Sequence, residues 1–259
     1  MPERIGLFCI GHRPPDFQPH HPFVHVSPVP SPCAKALLIP DGSLGERWDG
    51  RILSEYTQLF GLAESGALAD VESVYIFQYR KFLALTPGPQ VAANIPYSYA
   101  ASAAEAEGLF PAPEELSRLG SSLLIGQAIR IRSLAHQYAC HHLVEDFAAF
   151  SAALSTLPAY GPQRVARFIA GGVLVPAPSL GLFPLALFLD QLRALREAWH
   201  AFAANFYVSR EGYQRRVGGF LLERLHSFLL VEAIAAGAIQ PVQGHQIIVS
   251  PTPTIHPTT

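Results

Sequence analysis

Cysteine and charge are both scarce in this sequence. Its three cysteines, Cys9, Cys33 and Cys140, stand far apart with no metal-ligand spacing and no disulfide framework. They read as small core hydrophobes in a reducing compartment. Charged residues are 15% of the chain, and 18 Lys plus Arg against 20 Asp plus Glu leave a formal charge of −2. That balance supplies no global field to recruit nucleic acid, so any anion site has to be local. No segment reaches about 18 uninterrupted apolar residues, and the amino terminus lacks the apolar stretch of a signal peptide, so neither a spanning helix nor export is expected. A cytoplasmic location is expected, the inner face of the membrane included, with peripheral membrane association left open. Also missing are an Asp-x-Asp pair and the spaced glycines of a dinucleotide loop or P-loop.

What is present is enough apolar residue, 49% over 259 positions, for one large α/β domain or two small ones. Residues 73–83 organise the rest. Val74, Tyr75, Ile76 and Phe77 are β-branched or aromatic and predict a buried strand. It runs into Gln78, Tyr79, Arg80 and Lys81, so it delivers two cations and a phenol at its carboxyl end. Open α/β sheets receive anionic ligands at that edge; an edge strand with a solvated basic tip is the other reading of the same residues.

Residues 4–10 read as the first core strand, ending in Gly11-His12-Arg13-Pro14-Pro15, either a nucleotide-side loop or a surface turn. The proline- and histidine-rich residues 17–40 read as loop with a short strand at 23–26. His20, His21 and His25 there lack a recognised ligand pattern, so a solvated loop is favoured over a metal site. Residues 50–68 switch to helical spacing, with Asp49 as N-cap and Gly66 as stop. Strand, helix, strand in that order predicts a right-handed crossover and a parallel sheet. Residues 134–157 read as one helical region, and 183–204 as a long amphipathic helix. Gly171 and Gly172, between apolar runs, permit close approach of a ligand or backbone. Gly218 and Gly219 open a last helix in which Glu223 and Arg224 sit among leucines, as exposed charges or as a partnered pair.

Several of these pieces, in this order, resemble one bacterial domain-of-unknown-function family found with capsular and exopolysaccharide synthesis genes. Its His-Tyr-Arg-Arg-aromatic signature is similar to Gln78-Tyr79-Arg80-Lys81-Phe82, and its early His-Lys to His12-Arg13. Its Glu-Leu-Thr helix resembles Glu55-Tyr56-Thr57, and its Gln-Tyr, His and acidic-Asp elements resemble Gln137, Tyr138, His141 and Glu145-Asp146. Its Asn-Met-Phe-Ile strand is matched by Gly171-Gly172-Val173-Leu174. Its Arg-x-x-Gly-Phe-x-x-Glu-Arg-Leu is matched by the run from Arg216 through Gly219 and Phe220 to Glu223, Arg224 and Leu225. The chain departs from the family at Gln78 for histidine, at Gly171 for asparagine, and at Ser121-Ser122 where the family has an aspartate.

The resemblance implies a single GT-A-like (Rossmann-like) α/β domain over 1–240, with a mostly parallel central sheet flanked by helices. A short strand and a disordered Pro/Thr tail would follow over 241–259. It implies a glycosyltransferase of surface polysaccharide synthesis, whose partners are a nucleotide sugar and a glycan acceptor and not nucleic acid. An inactive nucleotide-sugar or glycan-binding domain, or a structural subunit of a polysaccharide-assembly complex, is the alternative. Glu223 and Arg80 are implied as catalytic. Gly11, His12, Arg13, Glu55, Gln78, Tyr79, Lys81, Gly171, Gly172, Arg216, Gly219 and Arg224 are implied as substrate-binding. No residue is assigned to a metal; a divalent ion stays open as cofactor, without an Asp-x-Asp to hold it.

Overall fold

The computed structural model describes residues 4–93, 95 and 97–250. Strands β1 (Ile5–Ile10), β2 (Val24–Ser27) and β3 (Ala36–Leu38) come first. Helices α1 (Gly50–Leu53) and α2 (Tyr56–Glu64) follow, and then β4 (Ser73–Gln78). These strands align as β3-β2-β1-β4, each neighbour parallel, with Ile10 level with Gln78. Side chains alternate between two cores. Phe8, Ile10, Val74 and Ile76 pack with the α2 side chains Leu59 and Phe60, while Leu7, Cys9, Tyr75 and Phe77 enter a second cluster around Phe110. Strands covered on both faces carry no polar alternation, which is why β1 and β4 read as plain apolar runs.

The mostly parallel, Rossmann-like (GT-A-like) sheet expected from the sequence is not what forms. After the two-residue turn Tyr79-Arg80 the chain folds back as β5 (Lys81–Ala84), and it continues through β6 (Gln90–Val91), β7 (Ser98–Ala101) and β8 (Leu123–Gly126). Strands β9 (Ile129–Arg130) and β10 (Val173–Leu174) make a separate antiparallel pair, and β11 (Gly181–Pro184) and β12 (Pro241–Val249) complete the main sheet. Five strands close on themselves in the order β4-β11-β8-β12-β5 and back to β4. In this mixed barrel only β8 with β12 is parallel. Closure is permitted by Gly181, at φ 125°, where an added Cβ would stand 1.9 Å from the Leu124 carbonyl oxygen. Tyr75, Leu83, Leu124, Leu182 and Ile247, one from each barrel strand, share one core. The Tyr75 hydroxyl donates to the Leu83 carbonyl at 2.6 Å and ties β4 to β5.

The remaining helices are α3 (Ala103–Leu109), α4 (Pro113–Ser117), α5 (Leu134–Ala139), α6 (Val144–Ser155), α7 (Pro162–Ala170), α8 (Leu185–Asn205) and α9 (Val217–Ala235). Two expected single helices are pairs. Residues 50–68 break at Ser54, whose φ of 56° is outside helical geometry. Residues 134–157 break between α5 and α6, where the amides of His141 and His142 both turn back to the Tyr138 carbonyl. Gly218 and Gly219 lie in the first turn of α9, at the entry of the helix. A Cβ on Gly218 would meet Leu53 and Trp199, and one on Gly219 would meet the Ser54 hydroxyl at 2.4 Å. The pair therefore lets α9 approach α1 closely. Strand β12 is longer than the Ile247-Ile248-Val249 stretch expected and pairs with β5, β7 and β8. The expected Pro/Thr tail at 251–259 lies outside the described residues.

Candidate functional site

Three parallel strands end at one edge, and a cavity of about 430 Å³ opens there. Gly11 and His12 follow β1, Pro28 follows β2, Gln78 ends β4, Tyr79 and Arg80 form the turn after it, and Lys81 begins β5, all of them lining it. The opposite wall comes from Asp41, Gly50, Arg51, Ser54, Glu55 and Gln58, and Arg216 closes it from the start of α9. Four cationic side chains (Arg51, Arg80, Lys81, Arg216) thus face two carboxylates (Asp41, Glu55).

The hairpin turn sets the cationic rim. The Tyr79 ring is the hub, with His12 edge-on at 5.2 Å and the guanidinium carbons of Arg13 and Arg80 at 4.5 and 5.5 Å from its centroid. Such contacts hold cations in place without neutralising them. Arg13 itself pairs with Asp16 at 2.8 Å and lines a neighbouring cavity with Arg80 rather than the main one. Buried His25 supports the loop from behind. Its Nε2 stands 3.0 Å from the Gly11 carbonyl oxygen and its Nδ1 2.6 Å from the Ser31 hydroxyl. The neutral tautomer that donates to Gly11 fits both contacts, and burial lowers the His25 pKa accordingly. His25 was expected on a solvated loop; its place in β2 makes it a structural group.

The carboxylate wall is built by the break at Ser54. Arg216 Nε donates to the Ser54 hydroxyl at 3.0 Å, so a strained residue is held by the cation that closes the cavity. Glu55 follows directly, half-buried, and its Oε1 accepts from the buried Ser179 hydroxyl at 3.2 Å. Burial, and then the neighbouring carboxylate of Glu223, raise the Glu55 pKa above its ordinary value. Burial, and then the Arg80 guanidinium, lower that of Lys81. An acid moved up and a base moved down in one cavity is the pattern of groups held for ligand chemistry rather than for mutual neutralisation.

The structure brings together Gly11, His12, Glu55, Gln78, Tyr79, Arg80, Lys81 and Arg216. Glu223 and Arg224 stand behind that group on α9, outside the cavity lining. Arg224 is buried and donates to Glu223 at 2.7 Å, to Gln137 at 3.0 Å and to the Phe220 carbonyl at 3.2 Å, which ties α9 to α5. Gly219 touches the site only through Ser54. Gly171 and Gly172 are elsewhere, at the end of α7, where the Gly172 carbonyl accepts from the Ile131 amide. Asp41, Arg51, Ser54, Gln58 and Ser179 were missed. Gln58, three residues after Glu55 on one helix face, carried a signal; the others are joined only by the fold.

Among solved structures, the chain is similar to the apo structure of the bifunctional glycosyltransferase WbbM, with a TM-score of 0.77 at 14% identity over 95% of this chain and 45% of that one. The fold resembles a glycosyltransferase structure. At that identity the likeness is one of fold, and the chain spans less than half the length of the protein it matches. No family model and no curated protein matches the sequence. Among the described residues no three His, Cys, Asp or Glu side chains come together as a metal site, and no helix is long and apolar enough to cross a membrane. The donor set around the cavity is mainly cationic, which does not fit a resident divalent ion.

Proposed function

We propose that the protein is a glycosyltransferase that moves a sugar from a nucleotide-sugar donor to a glycan acceptor in surface polysaccharide synthesis. The observation that carries this reading is the cation-rimmed cavity at the carboxyl ends of β1, β2 and β4, in a fold like that of a glycosyltransferase structure. The donor diphosphate sits against Arg80 and Lys81, with Arg216 closing over it and His12 and Tyr79 at the nucleotide end. Gly11 allows close approach beside Tyr79. An acceptor hydroxyl oxygen attacks the anomeric carbon while the bond from that carbon to the diphosphate oxygen breaks. The hydroxyl proton passes to Glu55, whose raised pKa suits it to hold one. The departing diphosphate carries its negative charge to Arg80 and Lys81, which are already in position. Glu223 acts through Glu55, because a second carboxylate close by keeps the first one basic.

The test is turnover of a panel of uridine, guanosine and thymidine diphosphate sugars, with and without a mixed glycan acceptor. Release of nucleoside diphosphate by at least one donor is expected. Binding of nucleotides without release favours a binding domain, and no nucleotide binding by thermal shift sinks both in favour of a structural subunit.

A further inference from the structure

A second groove, of about 690 Å³, adjoins the cavity. Arg47, Arg51, Arg210 and Arg215 line it with Tyr207 and Asp49, and Arg51 lines the first cavity as well, so the two meet at that side chain. Arg215 and Arg216 are the last residues of the 3₁₀ turn Gly212–Arg216. Three residues per turn point successive side chains about 120° apart. Arg216 therefore reaches Ser54 in the cavity while Arg215 enters the groove.

The charges there are only partly compensated. Asp49 accepts from Arg51 Nε at 2.7 Å, Arg210 pairs with Asp146 at 2.8 Å, and the exposed Glu211 is a second carboxylate in the lining, so the four arginines still outnumber the acids they meet. Arg47 donates to the Ala203 carbonyl, which leaves its charge unmatched. Arg215 acts on Asp49 only electrostatically, and Asp49 is already bound to Arg51. The chain as a whole is negative, so this concentration of guanidinium groups does not follow from composition. Planar guanidinium forks match the oxygens of phosphate and carboxylate groups. The groove is concave, and the Arg47 guanidinium stands over the Tyr207 ring at 5.8 Å, held in place without being neutralised. A chain molecule fits such a shape, and a flat bilayer does not.

We propose that this groove is the acceptor subsite and that it takes a glycan carrying phosphate or carboxylate groups. The proposal rests on the transferase reading of the adjoining cavity. The acceptor lies along the arginines with its reacting end passing Arg51 toward Glu55.

The test is calorimetric titration of the full chain at low salt with four probes. These are a galacturonate hexamer, a maltohexaose bearing one phosphate, plain maltohexaose, and vesicles of phosphatidylglycerol. One charged sugar should bind about tenfold tighter than plain maltohexaose, and which one does identifies the oxyanion. Arg215→Glu should weaken it about tenfold, while Arg215→Lys keeps most of the affinity. Equal affinity for charged and plain sugars overturns the proposal, as does charged-sugar binding that Arg215→Glu leaves intact. Vesicle binding as tight as sugar binding, and equally sensitive to Arg215→Glu, also overturns it in favour of a lipid surface. Nucleoside diphosphate binding is measured on the same preparation; its absence defeats the transferase reading, whereas the sugar titrations decide the groove.

Discussion

Glu55 and Tyr56 are neighbours in the chain and face opposite worlds. Tyr56 points into the core, where its hydroxyl meets Nδ1 of the buried His226 at 3.3 Å and His226 Nε2 meets Gln191 Oε1 at 3.0 Å. Both ring nitrogens are partnered, and burial pushes the His226 pKa down to about 3, so the ring is neutral and fixed. Glu55 points into the cavity, where one serine hydroxyl and several unneutralised charges surround it. The first is a set of polar groups removed from water, and the second is a half-buried carboxylate at a cavity wall. The first is satisfied by its own protein apart from Gln191 Nε2, and the second leaves capacity for something that arrives. That difference, more than burial or charge alone, separates a structural network from a ligand site.

The sharpest way to break the contrast is Glu55→Gln, which keeps the shape and removes the proton acceptor. It should lower kcat about 10²- to 10⁴-fold with the thermal midpoint little changed; a variant with near-normal turnover removes Glu55 from the chemistry. In the active protein the acid limb of the pH–rate profile should lie above the ordinary glutamate value, since Glu55 acts once deprotonated. The basic limb should lie below the ordinary lysine value, since Lys81 acts while protonated. Next in size is Arg80→Ala. Its side chain is exposed, so folding should survive while nucleoside diphosphate affinity falls about 10- to 100-fold by calorimetry.

On the structural side, His226→Leu should cost about 2 kcal/mol near neutral pH, because Tyr56 and Gln191 lose their partner. The sign with pH is definite. The unfolded chain takes up a proton near the ordinary histidine value, and folded His226 does so only near pH 3. Its contribution is therefore complete above about pH 6.5 and is lost as pH falls toward 3. Urea titrations at a series of pH values should show a shallower acid decline in the variant, and an unchanged slope would mean that other groups govern it.

The same contrast governs what could be read before folding. β1 and β4 were legible because strands covered on both faces are uninterrupted apolar runs, and the cations after β4 do line a cavity. The barrel was not legible. Its β4–β5 hairpin turns on Tyr79-Arg80, neither at positive φ, so no Asn-Gly or Asp-Gly marks it. β11 is four residues long, and its last two, Phe183 and Pro184, were absorbed into the following helix. Gly181 gave no sign, since the clash it avoids is with Leu124, far away in sequence. Within the site, the half supplied by strand ends could be found from local pattern. The half supplied by Asp41, Arg51 and Ser179 depends on tertiary packing alone, and the α1–α2 break at Ser54 hides in a helical period that continues across it.

Tyr56→Phe should have the smallest effect and is the cleanest control on the comparison. It deletes one hydroxyl from the core and leaves the ring, which packs edge-on to His226 at 6.0 Å. The hydrogen bond removed is long at 3.3 Å, and its loss leaves only His226 Nδ1 without a donor. About 1 kcal/mol of stability should go, visible as a lower urea midpoint at unchanged slope. Turnover per folded molecule should stay within about twofold, because nothing on the cavity side of α2 has to move for the core side to relax. If Tyr56→Phe instead lowers kcat as Glu55→Gln does, the two faces of α2 are mechanically linked. The buried histidine network would then belong to the site, and the distinction drawn between them would fail.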